Sequence, residues 1–326
     1  MIRIFDKANY DLLAYRKIAF GIAAAFILPG IVWLVITGLN LSIEFTGGTL
    51  IVIEARDDAI NTGSIRTAIV GAGIGSPEIQ RFGSVREFAI RARLDPDTPI
   101  GQEASEQTRQ AVEAALESAF GANAYSVILT EAVGPKVGGE LREKAVLALL
   151  LGFGAILIYL SFRYEWRFGV AAVLTTMHDI VATFAFLSYI RLEVSLFVVA
   201  SLLLMVGYSL NDTIVTFDRV RENLRKFKRA KLYEILNRSI NETLPRTVLT
   251  SGSTLAASLA LVLFGGEVLS GPLLVVTFGI VVGTFSSIYI AAPLLLAIER
   301  RWPGEDVRGA RDIPDTVVSR TPQASA

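Results

Sequence analysis

The stretch Val194–Ile214, VSLFVVASLLLMVGYSLNDTI, is followed at once by VTFDRVRENLRKFKRAK up to Lys231, and this junction decides how the chain reads. As a helix the first part is long enough to cross a hydrocarbon core of about 30 Å. The second part is crowded with Arg and Lys, the pattern of a span meeting its cytoplasmic flank. Charge-poor runs of similar length lie at Ile18–Thr37, Ala145–Phe162, Phe168–Ile190, Val248–Phe264 and Leu269–Ile298. The 326 residues are 52% hydrophobic and 19% charged, with a mean hydropathy of +0.51. Soluble chains carry about 25% charged residues. Six membrane spans are therefore predicted, and a soluble enzyme is the poorer reading. Arg16 and Lys17 precede the first run as in a signal peptide, but the run is long and no A-x-A-like site follows, which predicts an uncleaved anchor.

Orientation follows from the cations of the short loops. Arg3, Lys7, Arg16 and Lys17 precede span one, Arg163 and Arg167 separate spans two and three, and a basic loop at 218–243 separates spans four and five. Arg300 and Arg301 follow span six, whereas the loop at Arg191–Glu193 has one cation and Gly265–Gly271 has none. Six crossings put every basic segment on one side. Residues 1–17 and the carboxyl end are then cytoplasmic, and the insertion at 38–140 lies outside.

The insertion reads as a folded α+β domain. Leu41–Phe45 is predicted as a strand before Gly47-Gly48, and Thr49–Ala55 is a β-branched run. Ile60–Val70 is helix-like, while Glu78–Phe82 and Glu87–Leu94 alternate as strands. Gln102–Phe120 is an amphipathic helix with Ala104, Thr108, Ala111, Ala115 and Leu116 near one face, and Tyr125–Val133 returns as a strand. From Thr49 the order is β-α-β-β-α-β, that of a ferredoxin-like split βαβ fold. Residues 303–326 are rich in Pro, Arg and Asp, then Ser, Thr and Ala, and read as a disordered cytoplasmic tail.

Several chemistries are disfavoured. Lys plus Arg equals Asp plus Glu at 31 each, so no basic excess points to nucleic acid. There is no cysteine and a single histidine, His178, which argues against thiolate or His-cluster metal sites. No P-loop is present, and Gly71, Gly73 and Gly75 follow a helix rather than a strand, so neither nucleotide nor dinucleotide binding is expected. No G-x-S-x-G elbow accompanies Thr250–Thr254. No enzymatic activity and no cofactor are predicted.

The informative residues are polar groups inside the spans, where each ionisable side chain costs about 2.5–3.5 kcal/mol on insertion scales. Thr176, Asp179 and Thr183 line one face of span three. The side chains of neighbours His178 and Asp179 should diverge by about 100°, so His178 is expected to bond an adjacent helix. Span four carries Asn211 and Asp212, with Tyr208, Asp212 and Thr216 one turn apart. Pro245 is read as a first-turn residue of span five, followed by Arg246, the cation nearest in depth to Asp212. Thr247, Ser251, Thr254 and Ser258 form a hydroxyl stripe behind it, and Gly279, Gly283 and Ser287 form a small-residue packing face on span six.

Four segments carry a family resemblance: FTGGT at Phe45–Thr49, VGPKVGGEL at Val133–Leu141, GYSLNDTIVTFDRVREN at Gly207–Asn223 and LPRTVLTSGSTL at Leu244–Leu255. Together they resemble the SecF members of the SecD/SecF family, within the resistance-nodulation-division superfamily. Glu44 stands where that family commonly has aspartate. The resemblance implies a bacterial inner-membrane subunit that pairs with SecD and works beside the SecYEG channel, YajC and, indirectly, the ATP-using motor SecA. It implies use of the proton motive force in late steps of preprotein export. Asp212 and Arg246 match polar positions linked to proton conduction, with Asp179 and Asn211 as further candidates. A proton-driven small-molecule exporter half and a passive assembly scaffold are the alternatives. The first would usually carry two large external domains, and the second would use its buried charges only to pair helices.

Overall fold

The computed structural model describes residues 8–57, 59–74, 77–82, 84–92 and 102–302. Arg3, Lys7, Gly75, Arg93, Leu94 and the tail from residue 303 lie outside them. The amino-terminal segment docks on a later helix through Asn237 and Asn241, whose side-chain oxygens accept from the backbone N–H of Leu12 and Tyr10 at 2.9 and 2.8 Å. Helix α1 (Arg16–Thr37) follows.

The next residues depart from expectation. Leu41 alone forms an isolated parallel bridge, with Val194, and Ile43–Thr46 is one helical turn, α2. The alternation of Leu41, Ile43 and Phe45 mimics a strand. Instead Ile43 and Phe45 are buried, and the chain leaves the turn through Gly47 and Gly48 at φ of 72° and 131°. Such conformations favour glycine. Strand β1 (Gly48–Ala55), helix α3 (Thr62–Gly71), strands β2 (Glu78–Arg81) and β3 (Glu87–Ala92), helix α4 (Gln102–Phe120) and strand β4 (Tyr125–Val133) complete the domain. The antiparallel sheet has the order β2-β3-β1-β4, the ferredoxin-like arrangement. Asn61 starts α3 with a capping box completed by Ser64. Ile51, Ile53, Phe88 and Ile90 of the sheet pack against Ile65, Ile69, Val112 and Leu116 of the two helices. On α4, Thr108, Ala115 and Leu116 face inward as expected, but Ala111 is exposed and Val112 takes the core position.

Helices α5 (Pro135–Arg163), α6 (Trp166–Ile190), α7 (Leu196–Lys226), α8 (Leu232–Phe264), α9 (Glu267–Tyr289) and α10 (Ala291–Arg301) follow. With α9 and α10 counted as one interrupted span, six segments are long and apolar enough to cross a membrane among the described residues. Small residues allow the helices to approach: a Cβ on Gly30 of α1 would overlap Ala185 of α6. Three boundaries differ from the sequence reading. The basic segment at 218–243 is helical on both sides of a short connection at 227–231. Its cause is an apolar face, Val220, Leu224, Leu232, Ile235, Leu236 and Ile240, that stays buried past the membrane span. Pro245 lies inside α8 rather than at its start, so Arg246 is not at a helix amino terminus. Span six breaks at Ile290.

Beyond the spans several charges are paired. Arg219, Arg238 and Asn223 converge on Glu242 at 2.7, 2.9 and 2.7 Å, tying α7 to α8. Tyr164, between α5 and α6, donates to Asp218 at 3.0 Å, and burial with that carboxylate pushes its phenol above the ordinary range. Residues 40–138 expressed alone should give a soluble domain with both helix and strand signals by circular dichroism. Phe88→Ala should lower its stability to urea by about 3–5 kcal/mol, because a buried ring leaves a cavity.

Candidate functional site

Asp179 and Asp212 are buried among the spans, and both depend on how closely α9 approaches α7; Glu299, near the end of α10, is buried as well and accepts from Arg167 at 3.0 Å. Gly279 and Gly283 provide that approach. A Cβ on Gly279 would overlap Met205, and one on Gly283 would lie 2.9 Å from Ser209 Cβ. The small-residue face of span six is thus a packing face, and it also delivers hydroxyls to the acids.

Asp179, on α6, has no exposed surface. Its Oδ2 accepts from Ser209 of α7 and, at 2.8 Å, from Ser286 of α9. Its Oδ1 lies 2.9 Å from His178 Nδ1. The expectation that neighbouring side chains point apart was wrong for this pair: the imidazole folds over to meet its neighbour rather than an adjacent helix. His178 Nε2 is buried without a hydrogen-bond partner among the described residues and sits beside an apolar crevice of about 210 Å³ between α1, α6 and α9. Thr183 bonds back to the Asp179 carbonyl at 2.8 Å. One carboxylate therefore pins three helices.

Asp212, on α7, is 3% exposed. Its Oδ2 accepts from Ser251 of α8 at 3.2 Å, and Ser251 in turn accepts from Thr284 of α9 at 2.8 Å. The hydroxyl stripe of α8 faces this site: Tyr208 reaches Thr254 at 3.4 Å, and Thr277 reaches Ser258 at 3.0 Å. Arg246 acts on Asp212 only through its field: no ion pair within 4 Å joins the two among the described residues. Arg246 and Asn211 are both exposed, on the outer faces of α8 and α7. Asp179 is enclosed by its own partners and is not beside Arg246. The structure thus brings Asp212 to Ser251 and Thr284, and leaves Arg246 and Asn211 facing outward. Ser209, Thr284 and Ser286 were missed as site residues because the register between helices is not written in any one of them. No group of three or more His, Cys, Asp or Glu able to hold a metal occurs among the described residues.

The model of the family described as protein export membrane protein SecD/SecF, C-terminal, matches residues 111–301, from α4 through all the helices just described. The SecD/SecF GG motif matches residues 32–59, around α2 and the start of the sheet. The chain belongs to the SecD/SecF family. Within that family it is 49% identical over 308 residues to the protein translocase subunit SecF of Gemmatimonas aurantiaca, covering 94% of this chain and 92% of the relative. It is 38% identical over 300 residues to the SecF of Rickettsia felis, covering 91% and 94%. Among solved structures it is similar to SecDF of Thermus thermophilus, described as a translocon-associated membrane protein, with a TM-score of 0.81 and 35% identity. A SecDF structure in a super-membrane-facing form matches with a TM-score of 0.66 and 34% identity. In both cases the match covers 92% of this chain and 40% of the solved one.

The glycine pair of α9 gives a direct test of this geometry. Gly279→Val should lower the unfolding temperature of the purified protein in detergent, since overpacking costs about 1–3 kcal/mol or more. Gly252→Ala on α8, where a Cβ meets open space, should leave it unchanged.

Proposed function

We propose that this SecD/SecF family member is an accessory subunit of the Sec preprotein translocase, and that it couples the proton motive force to late steps of export. One observation carries the reading: a carboxyl buried in an apolar span, with an asparagine next to it on α7 and an arginine on α8 that both face outward from the helix bundle. Uncovered polar groups there are costly, so a partner with polar residues of its own is required. SecD is that partner, consistent with the SecDF chains this protein resembles. SecYEG, YajC and the emerging preprotein are the further associates, with SecA acting on the other side of the membrane.

In this reading both termini are cytoplasmic in the bacterial inner membrane and the ferredoxin-like domain faces outward. Asp212 is the proton carrier. While charged it is held by Ser251 and by the field of Arg246. A proton taken from the outer side onto Oδ1 or Oδ2 removes that attraction, so α8 can shift against α7, and loss of the proton to the cytoplasmic side restores it. Asn211 shares the outward face with Arg246, and Asp179 with His178 is a second acid along the route. A proton falling through 100 mV releases about 2.3 kcal/mol, enough to bias a helix shift. No residue of the chain is assigned a catalytic role.

A reporter active only outside the cytoplasm should work when fused near Ala115 and fail near Lys228, and the reverse would overturn the orientation. Asp212→Asn, fixed neutral, should abolish proton-gradient-dependent export while the complex with SecD still assembles. Asp212→Glu should retain part of it. Full export by the asparagine variant would favour the scaffold reading.

A further inference from the structure

The acid of the glycine-glycine segment, Glu44, reaches out of its own element. Its Oε2 accepts from the backbone N–H of Leu196 at 2.6 Å and from Ser42 Oγ at 3.3 Å. Leu196 is the first residue of α7, the helix that carries Ser209, Asn211 and Asp212. The first turn of a helix leaves N–H groups without partners and favours a negative charge. Here Ser195 supplies one cap, to Val198 N–H at 3.3 Å, and Glu44 supplies the other from a distant part of the chain.

The surrounding contacts form a joint between the domain and the α6–α7 connection. Ser42 N–H donates to the Val194 carbonyl at 3.0 Å, and Val194 N–H donates to the Asn40 carbonyl at 2.7 Å. Asn40 Nδ2 donates to the Arg191 carbonyl at 3.1 Å. Arg191 sits at φ 52° and its guanidinium donates to the Gly38 carbonyl at 2.9 Å, closing the end of α1. On the sheet side, Arg91 of β3 pairs with Glu193. Behind Glu44, a Cβ on Gly138 of α5 would lie 2.8 Å from Gly47 N, so α2 is seated directly on α5. The domain therefore meets the membrane helices through the same segment that caps α7.

We propose that Glu44 is a positioning residue: as a hydrogen-bond acceptor lent to α7, it locks the outer end of the Asp212 helix to the domain, so that a shift of α7 is delivered to the domain as a rigid-body movement. It acts through α7 and touches no proton carrier. A carboxylate is not essential to this role, since the amide oxygen of glutamine can accept the same N–H, whereas alanine cannot.

The natural chain has no cysteine, so Leu41→Cys with Val194→Cys, at the paired positions of the isolated bridge, gives a clean crosslink across the joint. The full chain is expressed with SecD in its membrane, and the rate of disulfide formation is measured without a proton gradient. With Glu44 or Glu44→Gln the rates should agree within about twofold; with Glu44→Ala the rate should fall at least fivefold. Export is then measured on the same variants. Glu44→Ala should lose several-fold in export, or in accumulation of the complex, and the oxidised crosslink should restore it to within about twofold. An unchanged crosslinking rate in Glu44→Ala, a glutamine variant as impaired as alanine, or an alanine variant that stays defective when crosslinked would each overturn the proposal. The crosslinking rate is independent of proton coupling, so a failure of the Asp212 reading would leave that result standing.

Discussion

The close approach of α7 and α9 at Gly279 and Gly283 is the constraint on which the rest of the membrane portion depends. In hydrocarbon, apolar burial gives little drive for helices to associate, so tight backbone packing and interhelical hydrogen bonds hold them together. The two glycines let Ser286 reach Asp179 and let Thr284 reach Ser251 beside Asp212. Asp212 is thereby held by a hydroxyl, and Asp179 by two hydroxyls together with the His178 imidazole. Hydroxyls can accept or donate, so they tolerate both protonation states of the acid they face. A tight ion pair would favour only one.

The two acids are built differently. Asp179 is closed on every side, by His178 from its own helix and by serines from two others. Asp212 has one hydroxyl contact, with an arginine and an asparagine on the outer surface nearby. An enclosed, saturated carboxyl suits a fixed pin or a relay. A carboxyl next to an uncovered polar face suits a switch whose setting depends on what covers that face. The helix carrying Asp212 is capped at its amino-terminal end by the segment that starts the domain, and tied near its carboxyl end to α8 through Glu242. Movement of α7 is thus constrained at both ends by named contacts.

Much of the fold was legible because two periodicities carry it. Long charge-poor runs mark the spans, and β-branched alternation with an amphipathic helix marks the sheet domain. The misreadings share a physical cause: a local signal was overridden by its setting. Leu41–Phe45 alternates like a strand, yet two glycines with positive φ turn it into a helical cap docked on α5. Pro245 is a start signal in water, but within a membrane bundle neighbouring helices can satisfy the backbone groups it frees, and α8 runs through it. The charges of 218–243 suggested a loop, while the apolar face beneath them kept both helices going. Asp212 stood out as a charge inside an apolar run, and Arg246 as the cation at the start of the next one. Ser209, Thr284 and Ser286 could not, because serine and threonine are common packing residues and only the helix register makes them partners.

The central claim is that Asp212 exchanges a proton with the two sides of the membrane as part of a complex with SecD. Proton flux through that complex, reconstituted in liposomes with a trapped pH-sensitive dye under an imposed gradient, tests it most directly. The account predicts flux with the natural residue, reduced flux with Asp212→Glu and background flux with Asp212→Asn. Flux in the asparagine variant equal to that of the natural protein would contradict it.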